Sequence, residues 1–129
     1  MKLDAQARYT QTHEWARRAG DEVVIGITDY AQSTLSDIVY VDLPDVGDTL
    51  TAGESLGVVE SVKAAADVLA PVSGEVVAIN DALADAPETL NHDPFGAGWM
   101  VRVRPADWAE FEALMDADAY AALVASLEH

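Results

Sequence analysis

Two stretches of this chain, 27 residues apart, can be laid on one another. Val41-Asp42-Leu43-Pro44-Asp45-Val46-Gly47-Asp48-Thr49-Leu50 matches Val68-Leu69-Ala70-Pro71-Val72-Ser73-Gly74-Glu75-Val76-Val77. Each copy has Pro-x-x-Gly, then an acid, then strand-forming residues. Each also ends in a turn pair, Gly53-Glu54 and Asn80-Asp81, and Gly and Asn tolerate the positive φ that tight turns need. Two copies are too few for a solenoid. They suit a pseudo-twofold sandwich of two small sheets.

A lysine lies between the copies. The chain has two lysines, Lys2 and Lys63, against five arginines, although lysine is normally among the commonest residues. A chain that uses arginine elsewhere and keeps one lysine in mid-sequence points to a use for the amine itself. The stretches 56–61 and 65–69 are strand-like, and Val62-Lys63-Ala64 joins them. The spacing predicts a hairpin with the lysine at or near its tip, although the Asn-Gly or Asp-Gly of a tight hairpin is missing.

The rest of the pattern is mainly β. Residues 8–28 read as strands, with Ala19-Gly20-Asp21 as a turn before the β-rich Glu22-Val23-Val24-Ile25-Gly26-Ile27. Thr28-Asp29 is expected to cap a short helix through Tyr30, Ala31 and Leu35. Residues 38–43 alternate, placing Ile38, Tyr40 and Asp42 on one face and Val39, Val41 and Leu43 on the other, as in a sheet with one wet face. From Pro105 the period turns helical: Trp108, Phe111, Leu114 and Met115, then Tyr120, Leu123, Val124 and Leu127, with Asp116 or Asp118 as the second cap. The expectation is one domain over 1–129, with a β core at about 8–104 and a C-terminal helical segment at about 105–127.

Composition removes several classes of function. The formal net charge is −16, which repels nucleic acid and anionic membrane and favours basic partner surfaces. There is no cysteine, so disulfide and thiolate chemistry are out. No apolar run reaches membrane-spanning length. Met1-Lys2-Leu3-Asp4-Ala5-Gln6 has no hydrophobic signal core, which fits a cytoplasmic, bacterial-type protein. The histidines are His13, His92 and His129, with no metal-ligand spacing, no Gly-x-Ser-x-Gly elbow and no phosphate-binding loop. An enzyme is therefore not expected. A carrier needs one accessible amine on a rigid turn with small neighbours, and Glu60-Ser61-Val62-Lys63-Ala64-Ala65-Ala66-Asp67 offers that.

Six segments resemble, in order, the H proteins of the glycine cleavage system. They are His13-Glu14-Trp15; Ile25-Gly26-Ile27-Thr28-Asp29-Tyr30-Ala31-Gln32; Asp37-Ile38-Val39-Tyr40-Val41-Asp42-Leu43-Pro44; Glu60-Ser61-Val62-Lys63-Ala64 with Asp67; Pro71-Val72-Ser73-Gly74-Glu75-Val76; and Asn91 through Asp93-Pro94 to Gly98-Trp99. The resemblance implies a barrel-sandwich hybrid of the lipoyl/biotinyl type, with C-terminal helices. It implies lipoate joined to Lys63 by an amide. The partners it implies are glycine decarboxylase, aminomethyltransferase, dihydrolipoamide dehydrogenase and a lipoate-attaching enzyme. Such a carrier takes an aminomethyl group from the first enzyme to the second and is reoxidised by the third. By the same resemblance, Glu60 and Gly74 match positions read by the lipoate-attaching enzyme, Gly74 being expected to serve a turn as well, and Glu14 and Asp67 match acids near which the arm docks. Trp15 is expected to pack. Members of that family usually have glycine where Ser36 stands, and some have histidine at Thr34; both departures bear on the shape of the docking groove.

Rival carriers fit less well. Lipoyl domains of 2-oxo acid dehydrogenases usually present Asp-Lys-Ala beside linkers, and biotin carriers flank their lysine with methionine; here Val62 and Ala64 do. A lipoate relay to other enzymes and an unmodified acidic binding module are the remaining readings.

Overall fold

The computed structural model describes residues 1–128. Its strands are β1 (Arg8–Tyr9), β2 (Glu14–Ala19), β3 (Glu22–Ile27), β4 (Ile38–Asp42), β5 (Thr49–Leu50), β6 (Ser55–Ser61), β7 (Ala65–Leu69), β8 (Gly74–Ile79) and β9 (Val101–Pro105). Its helices are α1 (Asp29–Leu35), α2 (Ala82–Asp85), α3 (Thr89–His92), α4 (Trp108–Glu112) and α5 (Ala117–Leu127). The strands form a six-stranded sheet in the order β1-β2-β3-β9-β8-β5 and a three-stranded sheet β4-β6-β7, antiparallel throughout. The expected mainly-β architecture, with a short internal helix and C-terminal helices, is the one found. The two sheets face each other without closing into a barrel.

Alternation along β2 and β3 divides their apolar residues between two cores, because successive side chains point to opposite faces. Ala16, Val23, Ile25 and Ile27 face the three-stranded sheet and meet Ile38, Val41, Leu56, Val59 and Val68. Trp15 and Val24 face the other way, where Tyr120 and Val124 of α5 and Tyr9 of β1 cover them. The Tyr120 hydroxyl shares hydrogen bonds with His13 Nδ1 at 2.8 Å and Thr28 Oγ1 at 2.7 Å, and burial pushes this phenol up to about 12. Thr28 also caps α1, and Asp116, one of the two expected candidates, caps α5 by accepting from Ala119 N–H.

The internal repeat appears as a local twofold. Thr49 pairs with Glu75 and Leu50 with Gly74. Exchanging the copies turns the first pair into Val76 and Asp48, and Val76 N–H does donate to the Asp48 carbonyl at 2.8 Å. Val41 and Val68, which also correspond, lie on strands flanking β6 from opposite sides. The symmetry then ends. Gly53 makes its turn at φ +86°, but Asn80 does not take a left-handed conformation as its pairing with Gly53 led one to expect. Its side chain instead donates to the carbonyls of Ala97 and Trp99, and Asp81 opens α2.

Strand β4 also departs from its expected alternation. Ile38 pairs with Ser61 and Tyr40 with Glu60, leaving Val39 as an extra residue. Such a bulge shifts the side-chain phase by one. Ile38 and Val41 are therefore both buried, while Val39 and Tyr40 are more than half exposed, at 54% and 52%.

Candidate functional site

Lys63 stands at the tip of the β6–β7 hairpin, and the backbone reaches that tip by an unusual route. A two-residue loop of the common tight type needs positive φ at both positions, hence Asn-Gly. Outside glycine, the described residues with positive φ are His13 and Ser36, so Val62 and Lys63 are not in such a turn. Ser61 supplies the alternative. Its N–H donates to the Ala64 carbonyl at 2.7 Å, and its hydroxyl oxygen accepts from the N–H groups of Lys63 and Ala64 at 3.3 and 3.1 Å. Serine hydroxyls stabilise turns in this manner. Val62 N–H is held by the Asp37 carbonyl at 3.0 Å. The loop is thus tied on both sides while its side chains project: Val62 is 67% exposed, and Lys63, Ala64 and Ala65 are exposed with it. Among the described residues, Lys63 has no ion pair. Its amine is accessible, on a pinned turn, beside small side chains, as amide formation by another enzyme requires.

Glu60 and Asp67 flank this lysine on the outer face of the three-stranded sheet. Two cross-strand rows line that face: Tyr40, Glu60 and Ala65 in one, Asp42, Val58 and Asp67 in the other. Asp67 is exposed and accepts from the Ser55 hydroxyl at 3.3 Å. The strands of this sheet contain three acids and no cation.

Glu14 is not on that face. It is 2% exposed. The hydroxyls of Thr10 and Thr12 donate to its Oε1 at 2.6 Å each, and Leu69 N–H donates to its Oε2 at 3.2 Å. Burial pushes its carboxyl above the usual glutamate range, opposed by those three hydrogen bonds.

Gly74 belongs to the other sheet. It was expected to serve a turn, but it begins β8 without a left-handed φ. What it needs is close approach: a Cβ there would collide with the Arg104 carbonyl and lie 3.0 Å from Pro105 Cα. Gly47, its counterpart in the repeat, has open space and φ +97°, so the same motif glycine answers two different demands. The structure therefore joins Lys63, Glu60 and Asp67 on one hairpin, brings Glu14 to the open edge of that hairpin at Leu69, and leaves Gly74 on the facing sheet. Sequence reasoning missed Ser61; a serine directly before the three-residue Val62-Lys63-Ala64 connection, which lacks Asn-Gly, was the available signal.

Known proteins resemble this chain in sequence and in fold. Residues 7–127 match the family described as glycine cleavage H-protein. The glycine cleavage system H protein of Anaeromyxobacter sp. (strain K) is 56% identical over 128 residues, covering 99% of this chain and 100% of the relative. That of Nitratidesulfovibrio vulgaris (strain DP4) is 56% identical over 129 residues, covering both chains completely. The crystal structure of a glycine cleavage system H protein from Mycobacterium marinum superposes with a TM-score of 0.89 at 41% identity, over 95% of this chain and 99% of that one. With its two sheets, its lysine hairpin and these relatives, the chain belongs to the glycine cleavage H-protein family, the lipoyl carriers of that system.

Proposed function

We propose that Lys63 carries lipoate through an amide bond, and that this chain works as a carrier and catalyses nothing itself. The observation that carries the reading is the exposed lysine, without an ion pair among the described residues, on a turn locked by the Ser61 hydroxyl. The lipoyl dithiolane, when bound, supplies a reducible disulfide that can hold an aminomethyl group. The chain's own part is mechanical and electrostatic. The hairpin keeps the lysine Cα fixed while four methylenes and the arm beyond them sweep a wide volume. Tethering raises the local concentration of the arm's end at each docked enzyme.

The partners are glycine decarboxylase, aminomethyltransferase, dihydrolipoamide dehydrogenase and the lipoate-attaching enzyme. Acylation removes the one cation of the hairpin, taking the formal charge from −16 to −17. The charged residues left on the strands of the outer face are then all acidic, which suits basic docking surfaces on the partners. Glu60 is the recognition residue for the attaching enzyme on this reading, supported by its exposure three residues before the lysine. Gly74 would act there through the close packing of β8 on β9. Asp67 is the exposed acceptor for a cationic amine at the arm's end, since a charge-assisted hydrogen bond is the strong kind. Glu14, at the open edge of the same strand, would have to exchange one of its hydroxyl partners to serve. The protein works in the cytoplasm on this reading, and no helix among the described residues is long and apolar enough to cross a membrane.

Reconstitution tests the proposal. The chain is treated with a lipoate-attaching enzyme and lipoate, then mixed with the three partner enzymes, glycine, tetrahydrofolate and NAD. Glycine-dependent NADH formation should require the lipoylated chain. Equal turnover with the untreated chain, or none with the lipoylated chain, would overturn it.

A further inference from the structure

The two sheets do not close into a barrel, and a seam is left beside β7, an edge strand of the three-stranded sheet. Edge strands present backbone N–H groups with no ladder partner. Ala70 N–H turns back to the Glu54 carbonyl, on the β6 side. Leu69 N–H, one residue earlier, points the opposite way and ends on Glu14 Oε2. Among the described residues this is the one hydrogen bond from a strand of one sheet to a strand of the other.

The cost of placing a carboxylate there is large unless its lone pairs are used. The Thr10-x-Thr12-x-Glu14 pattern meets that condition locally. Both hydroxyls converge on Oε1, and Thr10 Oγ1 also accepts from Glu14's own N–H at 3.1 Å. His13 at φ +74° closes the β1–β2 loop that brings the two threonines round. The loop thereby preorganises one carboxylate oxygen and aims the other at β7.

We infer that Glu14 is a positioning residue: its side chain takes the place of strand pairing at this seam and holds the lysine-bearing hairpin against the six-stranded sheet. The inference deepens the carrier reading, since the strand it pins is the one that presents Lys63, but it concerns the unmodified chain. The role requires an acceptor at Oε2 and does not require charge. Glutamine can meet it, with its amide oxygen toward Leu69 and its NH₂ toward the threonine hydroxyls, which can rotate to accept. Methionine has a similar shape and no comparable acceptor.

Backbone amide hydrogen exchange of the full, unlipoylated chain separates these. In Glu14→Met, exchange at Leu69 and along β7 should accelerate at least about tenfold, the scale of losing a hydrogen bond to a charged acceptor, while β3 and β9 exchange as in the parent. Glu14→Gln should stay close to the parent. Parent-like exchange in Glu14→Met, exchange as fast in Glu14→Gln as in Glu14→Met, or acceleration equally large in β3 and β9 would each overturn the inference. None of these outcomes depends on whether Lys63 takes lipoate, so a failure here and a failure of the carrier reading are distinct results.

Discussion

The six-stranded sheet is dry on both faces near its centre, whereas the three-stranded sheet has one dry face and one wet one. In β3 every residue after Glu22 is buried. In β4, β6 and β7 the inner residues Val41, Val59 and Val68 are buried while Tyr40, Glu60 and Asp67 are exposed. Charge follows the same division. All five arginines lie on β1, β2 and β9. Arg17, Arg102 and Arg104 pair with Asp4, Glu22 and Glu75, and Arg8, Arg17 and Arg18 lie over Phe111, Trp15 and Trp108. The smaller sheet keeps three acids in its strands and a lysine at its tip. One sheet is a foundation whose arginines are paired with acids or laid over aromatic rings. The other is a platform whose charges stand exposed.

The sharpest way to break this contrast is to remove a large side chain from the foundation. Trp15 is fully buried, its Nε1 donates to the Pro94 carbonyl at 3.0 Å, and Gly26 lies so close that a Cβ there would be 2.8 Å from the indole. Trp15→Ala should cost about 3–5 kcal/mol of unfolding free energy in urea titrations. A loss below about 0.5 kcal/mol would fall within what ordinary surface sites show and would mean that the outer core is not a support.

A gain is expected on the platform side. Ser36, between α1 and β4, sits at φ 62° and ψ −143°, a region that suits glycine. Asn91 holds it there: its side chain donates to the Ser36 carbonyl at 2.8 Å and accepts from Ile38 N–H at 3.0 Å. Ser36→Gly should raise stability by about 1 kcal/mol, the relief of strain less the extra chain entropy of glycine. Thermal unfolding should show this as an upward shift of Tm by roughly 3–5 °C; no shift, or a fall, would place the strain elsewhere.

The smallest stability effects belong to the wet face. Asp42→Asn, Glu60→Gln and Asp67→Asn should each stay within about 0.5 kcal/mol of the parent, as surface positions do. Their effect should appear in docking. Association of the parent with its partner enzymes should slow steeply with salt, because exposed charges are screened beyond about 8 Å at physiological ionic strength, and the triple variant should lose part of that dependence. Stopped-flow rates at two salt concentrations decide it, and identical salt slopes would remove the face from the docking account.

Much of this division was legible in the sequence, and the reasons differ by region. The hairpin was readable from its two strand-like stretches alone, without a turn signal, whereas β3 and the caps at Thr28 and Asp116 were readable because pattern, propensity and capping chemistry agree there. The bulge at Val39 was not, since one inserted residue changes no composition and only the partner strand reveals it. The short helices α2 and α3 have four residues each, too few to show a helical period. At the site, Lys63, Glu60 and Asp67 were readable as neighbours because they are local. Glu14 was legible as an acid of interest, but its burial depends on β7 arriving from 55 residues away. The turn role expected of Gly74 failed for a similar reason: its constraint is the Arg104 carbonyl on another strand.

The central claim is that this molecule exists to present one amine. Intact mass spectrometry after treatment with a lipoate-attaching enzyme and lipoate tests that most directly. The parent should gain a single lipoyl increment. Lys63→Arg should gain none while keeping the parent's circular dichroism and Tm, because arginine retains the charge but offers no acylatable amine. An increment retained in Lys63→Arg, or more than one in the parent, would contradict the account.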